Sequence, residues 1–421
     1  MLRVLLPGRS GTAELRDAAR SIRRSVPLFD LSGICLKGAG RDRLNGVTLQ
    51  IHAGVTAVVG YSGAGKTSLL NLLAGFETAD SGTLKADLRV AEGSEALPLF
   101  WAPQGGGLWP HLTVEQHLSQ VCGGRSQPAG IRAEREARRG RKDSDNCEES
   151  QFSADEILSR LDLQHRKQAY PETLSQGECS RLAVARALAS HAAVLILDEP
   201  LAHVDSSRKP EYWQLIRDMI QATSISMIFA SHDADAVIRE ADNLICLHNG
   251  QLVFHGATQQ LYHHPPGQQT GEFLGRMNWF SADDWILQGI RSSCGQPAVN
   301  VSPGIRPEWL ELYADPDSGF VVQSTVFSGC LSETTVMDVG RKLHRTVLHV
   351  SGSDLPVGQR VSLRFTAAHD RTVRTDDDGP NCEESRSVYK ETIQLGDAGQ
   401  SGNSGAAFAT GENSLQELPG K

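Results

Sequence analysis

No stretch of the 421-residue chain approaches the roughly 18 consecutive apolar residues that a membrane-spanning helix requires. Positive charge is not in excess either. Lys and Arg number 41 against 50 Asp and Glu, a formal net charge of -9 at pH 7. A surface built as a whole to hold nucleic acid would be basic, so no nucleic-acid partner is expected. The eight cysteines, at 35, 122, 147, 179, 246, 294, 330 and 382, contain no Cys-x-x-Cys pair. Neither a disulfide framework nor a zinc site follows from them. Met1 to Arg24 carries six Arg but lacks an apolar stretch of about 7–15 residues and a small-residue cleavage site, so it does not read as a secretory signal. What is present is enough apolar material for a sizeable core, 39% hydrophobic against 22% charged. The expectation is a soluble, multi-domain protein of a reducing compartment.

The pattern changes along the chain. Residues 1–25 read as a flexible, Arg-rich leader. Phe29 to Ile34 and Gly46 to Ile51 alternate weakly, as strands do. Val55 to Val59 is a short apolar run that suits a buried parallel strand, and Thr67 to Phe76 reads as a helix. Residues 105–175 look mostly helical, with an exposed insertion at 125–150 that is basic first and acidic last. Asn-Cys-Glu-Glu-Ser occurs at 146–150 and again at 381–385, a repeat with no physical account. Ala192 to Leu197 and Ile225 to Ala230 are further apolar strands. Residues 259–300 form a connector, and 301–367 read as short strands of a small β-barrel. There Val361, Leu363 and Phe365 alternate as in a half-buried strand, and residues 368–421 read as a disordered tail.

One segment carries chemistry on its own. Gly60-Tyr61-Ser62-Gly63-Ala64-Gly65-Lys66-Thr67, followed by Ser68, fits G-x-x-x-x-G-K-[ST] between a predicted strand and a predicted helix. Its glycines let backbone amides curl round phosphate oxygens, and the helix start adds positive potential. Lys66 would reach the β- and γ-phosphates, and the Thr67 hydroxyl would ligate Mg²⁺. Val194-Leu195-Ile196-Leu197 then ends in Asp198 and Glu199, two carboxylates at the edge of a buried strand. Asp198 would join the Mg²⁺ shell, and Glu199 would activate a water for attack on the γ-phosphate.

At this point the chain resembles the ATP-binding subunit of ABC transporters. The family signature Leu-Ser-Gly-Gly-Gln stands here as Leu174-Ser175-Gln176-Gly177-Glu178. Gln104 in Phe100-Trp101-Ala102-Pro103-Gln104 matches the Q-loop, Asp205 the D-loop, and His232 the switch histidine at the γ-phosphate. The resemblance implies a RecA-like α/β P-loop domain at 26–258 with a helical subdomain at about 105–175. It implies catalytic Glu199 and His232, nucleotide contacts from residues 60–68 and Gln104, and a Mg²⁺ shell of Thr67, Gln104 and Asp198. In the family, the signature of one subunit closes on the ATP of another, so a homodimer is implied.

The resemblance continues beyond that domain. Leu108-Trp109-Pro110-His111-Leu112-Thr113-Val114 looks like the corresponding run of importer ATPases. Gly304-Ile305-Arg306-Pro307-Glu308-Trp309-Leu310-Glu311-Leu312 looks like their accessory OB-like β-barrel, the TOBE domain. The group implies ATP and Mg²⁺ as cofactors, membrane permease subunits, an extracytoplasmic binding protein, and a place on the cytoplasmic face of the membrane. Its cargoes include ferric iron, polyamines, sulfate, molybdate, thiamine and sugars; the single short barrel leans toward ferric iron or polyamines. Departures stand at Gln176, Glu178 and Ala202, and Lys37-Gly38-Ala39 lacks the aromatic residue expected against adenine. The alternatives are an ATP-binding regulator with weak hydrolysis, an exporter cassette, and an ABC ATPase acting on DNA or ribosomes.

Overall fold

The computed structural model describes residues 26–88, 97–122, 153–223, 225–280, 304–352 and 355–365. The leader, the insertion at 125–150, both copies of Asn-Cys-Glu-Glu-Ser and the tail lie outside the described residues. Two compact units divide the rest. The first holds the described residues up to Phe280 together with Gly304–Pro307, and the second begins at Glu308.

The first unit opens with β1 (Phe29–Leu36), β2 (Leu44–Ile51), β3 (Val55–Val59), α1 (Lys66–Leu73), β4 (Ser81–Ala86) and β5 (Leu99–Ala102). Next come α2 (Val114–Val121), α3 (Ala154–Arg160), α4 (Gln176–Ala189), β6 (Val194–Asp198), α5 (Lys209–Thr223) and β7 (Ser226–Ala230). It closes with α6 (Ala234–Glu240), β8 (Asn243–His248), β9 (Gln251–Ala257), α7 (Thr258–His263), α8 (Gln268–Glu272), β10 (Asn278–Trp279) and β11 (Gly304–Ile305).

A six-stranded sheet in the order β5-β6-β7-β3-β8-β9 is the centre of this unit. Its first five strands are parallel and β9 is antiparallel to β8. Parallel sheets need cover on both faces, and the side chains divide accordingly. Leu195, Leu197, Met227 and Phe229 pack with Leu182 and Leu188 of α4 and with Trp213 and Ile216 of α5. Val194, Ile196, Ile228 and Ala230 pack on the opposite face with Leu69 and Leu73 of α1 and with Leu31 and Val47. The last two come from a separate antiparallel sheet in the order β2-β1-β4. Fully burying one such Leu or Ile contributes about 1.5–3 kcal/mol, which is why the apolar runs fold as central strands.

Some boundaries shift from the sequence reading. Helix α1 stops at Leu73, because Gly75 takes φ 76° and turns the chain away. The strand read as half-buried is more enclosed: Val361, Ser362, Leu363 and Phe365 are all buried. Gly304 and Ile305, read as the start of the barrel, instead pair with Trp279 and Asn278 inside the first unit.

The second unit is a five-stranded antiparallel sheet of β12 (Leu310–Ala314), β13 (Phe320–Ser328), β14 (Leu331–Asp338), β15 (Leu343–Val350) and β16 (Arg360–Phe365). The order is β12-β16-β13-β14-β15, and the two outer strands approach each other, as in an OB-like barrel. Leu310, Val322, Val336, Val347 and Leu363 fill its interior.

Candidate functional site

Parallel strands end at one edge of a sheet, so chemistry placed after them converges. Here β3 leads into the P-loop, β6 ends in Asp198 and Glu199, and β7 leads into Ser231 and His232. They meet in a hollow of about 770 Å³. Every residue of the motif from Gly60 to Ser68 lines it except Ala64, which is buried beneath. Gln104, Asp198, Glu199 and His232 line it too.

The loop has little room to be anything else. A Cβ on Gly60, at φ 153°, would lie 2.3 Å from the Leu247 carbonyl oxygen. One on Gly65, at φ 106°, would lie 2.5 Å from that of Arg43. Both positions therefore require glycine. Lys66 folds back over the loop, and its Nζ donates to the Gly60 carbonyl at 2.8 Å. The Thr67 hydroxyl donates to Asp198 Oδ2 at 2.8 Å, bringing together two of the three sequence-predicted magnesium ligands. Burial pushes the Asp198 carboxyl above the usual carboxylate range; the Thr67 hydrogen bond opposes this, Glu199 adds to it and Lys66 lowers it.

Glu199 sits at a strained place. Its φ is +54°, uncommon for a residue with a side chain. Its backbone N–H donates to the Ala230 carbonyl at 3.0 Å, which ties the end of β6 to β7. The side chain is 12% exposed, and its Oε2 lies 2.9 Å from Nδ1 of His232, a ring 76% exposed. Asp233 caps α6, accepting from the Ala236 N–H at 3.2 Å, and so places His232 just ahead of that helix.

Gln104 enters the hollow from the end of β5. Behind it, Arg186 of α4 is buried and its Nη1 donates to the Gly106 and Gly107 carbonyls at 3.0 and 2.9 Å. That guanidinium also lies 4.1 Å over the Trp109 ring. His117 accepts the Trp109 N–H at Nε2 and pairs through Nδ1 with the Thr113 carbonyl. This pairing requires the neutral ring with its proton on Nδ1. Burial holds its pKa below the usual histidine range; the Thr113 carbonyl opposes this, while Arg186 and His111 lower it further.

The signature lies elsewhere. Ser175, Gln176 and Gly177 line a second hollow, with His203, Val204, Asp205, Arg181, Arg208 and Tyr212. Leu174 and Glu178 are not on its wall. Ser175 is the N-cap of α4, and its hydroxyl accepts the Glu178 N–H at 3.1 Å. Glu178 turns back to accept the Ser175 N–H at 2.7 Å and pairs with Arg166 at 2.9 Å. The departure at Glu178 is thus a capping box joined to an ion pair. Burial opposes its ionisation, but the Ser175 N–H, Arg166 and the Ser175 hydroxyl outweigh it and hold the carboxyl below the usual range. The Asp205 backbone carbonyl accepts from the N–H groups of Arg208 and Lys209 at the start of α5.

Sequence reasoning missed several wall residues of the first hollow: Arg41, Arg43, Ser231, Glu272 and Phe273. Arg41 reaches from the β1–β2 loop, where the family resemblance calls for an aromatic residue, and donates to the Gly63 carbonyl at 3.1 Å. Its position in that loop was the available signal. Nothing in the sequence tied Glu272 and Phe273 to the phosphate loop they adjoin, about 200 residues away.

Fold and site together define a P-loop nucleotide-binding protein of the ATPase class, with an acidic pair and histidine facing the phosphate loop. The chain belongs to the ABC transporter family, whose model matches residues 44–202, and within it to the importer-type ATPases. It is 30% identical over 360 residues to the Fe(3+) ions import ATP-binding protein of Pseudomonas fluorescens, covering 80% of this chain and 95% of that one. It is 28% identical over 364 residues to the protein of the same description from Pectobacterium atrosepticum, covering 81% and 98%. It is also 33% identical over 281 residues to the sulfate/thiosulfate import ATP-binding protein of Burkholderia mallei, covering 64% and 76%. Among the described residues no helix is long and apolar enough to cross a membrane.

Proposed function

We propose that this chain hydrolyses ATP to drive import through membrane permease subunits, with ferric iron as the cargo. The observation that supports the chemistry most directly is the Glu199–His232 pair facing the P-loop across one hollow. The cargo follows the Fe(3+) description shared by two relatives covered over 98% and 95% of their own length. An extracytoplasmic binding protein would deliver that cargo, and this chain would work at the cytoplasmic face of the membrane.

The triphosphate binds in the curl of residues 60–68, where backbone N–H groups and Lys66 donate to its oxygens. Lys66 must exchange its Gly60 carbonyl for a phosphate oxygen, so the loop is held in shape by its own lysine until nucleotide arrives. Glu199 accepts the proton of a water attacking in line with the γ-phosphate. His232 donates to a γ-phosphate oxygen, and its contact with Glu199 holds both side chains on the reacting side. The Thr67 hydroxyl, the Asp198 carboxylate and the Gln104 side chain are hard oxygen donors lining one hollow, which suits Mg²⁺. Bound there, Mg²⁺ would offset charge on the β- and γ-phosphates.

The signature faces a different hollow of the same chain, so it serves a second copy. Ser175 and the Gly177 N–H would complete the partner's γ-phosphate site, and Asp205 would lie beside them. The test is steady-state ATP hydrolysis of the purified chain with Mg²⁺ against protein concentration. The rate per subunit should rise steeply as copies meet. Binding without turnover, with the permease present, would make the chain a regulator instead. For the cargo, cells lacking this chain should lose ferric uptake and keep sulfate uptake; the reverse would reassign it.

A further inference from the structure

The Gly304–Glu308 segment carries a residue that the reaction does not explain. Arg306 is 1% exposed, and its guanidinium is spread over backbone carbonyls. Its Nη1 donates to Gly275 at 3.0 Å and Arg276 at 3.2 Å, and its Nη2 to Gly271 at 3.0 Å. Its Nε donates to Tyr262 at 3.4 Å, and its carbon lies 4.4 Å over the Tyr262 ring. A planar fork with five donors can hold several carbonyls at once; an ammonium on a flexible stem cannot hold the same set.

The held carbonyls bracket a short piece of chain. Gly271 and Gly275 lie on either side of Glu272-Phe273-Leu274. Leu274 is anchored in the core, while Glu272 and Phe273 line the nucleotide hollow. The Phe273 ring meets the ring of Tyr61, centroid to centroid at 5.1 Å. Tyr61 is the second residue of the P-loop, and 49% of it is still exposed. Its carbonyl is also within reach of Lys66 Nζ, at 3.4 Å. An unbroken run of contacts therefore links Arg306 to the phosphate loop.

We propose that Arg306 is a positioning residue for the nucleotide site. It clamps the segment after α8 so that Phe273 braces Tyr61 and keeps the P-loop in its receiving shape. The proposal rests on the reading of residues 60–68 as the ATP site. ATP affinity in this chain then depends on a residue some 240 positions beyond that loop.

The experiment measures MgATP binding to the full chain by calorimetry, with turnover in parallel. Losing a packed aromatic pair should raise Kd about fivefold in Phe273→Ala. Arg306→Lys, folded by circular dichroism, should show a similar rise through KM, with kcat at saturating ATP retained. Phe273→Trp should restore affinity. The double variant should be no weaker than Phe273→Ala alone, because both act through one contact. A folded Arg306→Lys chain with wild-type Kd would overturn the proposal, as would losses that simply add. If Arg306→Lys does not fold, Phe273→Ala decides alone: unchanged Kd overturns the proposal. Lys66→Ala separates the two layers. Tight ATP binding in that variant overturns the nucleotide reading itself; lost binding there with unchanged Kd in Arg306→Lys overturns the clamp only.

Discussion

The two hollows of the first unit are made of different materials. The P-loop hollow sets the backbone N–H groups and Lys66 that follow β3 against Asp198 and Glu199 at the end of β6 and His232 after β7. The signature hollow sits at the start of a helix and is edged by arginines. Asp162 steers those arginines, accepting from Arg208 at 2.9 Å and from Arg181 at 3.4 Å. Under the proposed mechanism the first binds a triphosphate and moves a proton. The second has hydrogen-bond donors and positive charge but neither carboxylate of the acidic pair nor the phosphate loop. Under the proposed mechanism each is half of a composite site, and the difference teaches which variants should stop chemistry and which should only weaken assembly.

Changing Glu199 should have the largest effect. Glu199→Gln should lower phosphate release by about 10²–10⁴-fold, the range typical of losing a general base. ATP binding should persist, and a dimer should accumulate in size-exclusion chromatography. Turnover at the wild-type rate would remove Glu199 from the mechanism. Next comes Lys66→Ala, which removes a charge-assisted donor and should weaken ATP binding by about 100-fold in calorimetry. Both variants act on the first hollow alone.

Smaller effects belong behind the second hollow, at the capping box that holds Ser175 on its wall. Glu178→Ala removes half of the capping box and the partner of Arg166, and should cost about 1–2 kcal/mol in urea unfolding. Isolated P-loop binding should hardly change. An equal loss of ATP affinity by the monomer would break the separation between the two hollows.

The smallest effect is in pH dependence. The Glu178 carboxyl is held low, so its contribution is complete above the unfolded value near 4.3 and is lost as pH falls through its lowered pKa. His117 loses stability earlier on acidification. Its folded pKa is lowered, so the unfolded chain takes up the proton first as pH drops below about 6.5. Thermal melts between pH 7 and 5 should therefore show a shallower slope in His117→Gln than in the wild type. Equal slopes would mean that the buried ring carries no such linkage.

Much of this protein could be read from its residues in order. Val55–Val59 followed by Gly60–Thr67 fixes a strand, a phosphate loop and a helix, because the glycine spacing and apolar run are local properties. The strand ending in Asp198 and Glu199 is legible for the same reason. The family resemblance also pointed to His232 and the signature. The Ser175-x-x-Glu178 spacing carried the capping box locally, but not the ion pair with Arg166, which approaches from another segment. Nor did the sequence tell that Arg41, Glu272 and Phe273 would stand on the wall of the nucleotide hollow. Chain-local patterns set which backbone can cradle a phosphate and which strands can be buried. Only the packing of the sheet layers brought distant side chains to that cradle, because burial and hydrogen-bond partners are shared between segments and belong to neither alone.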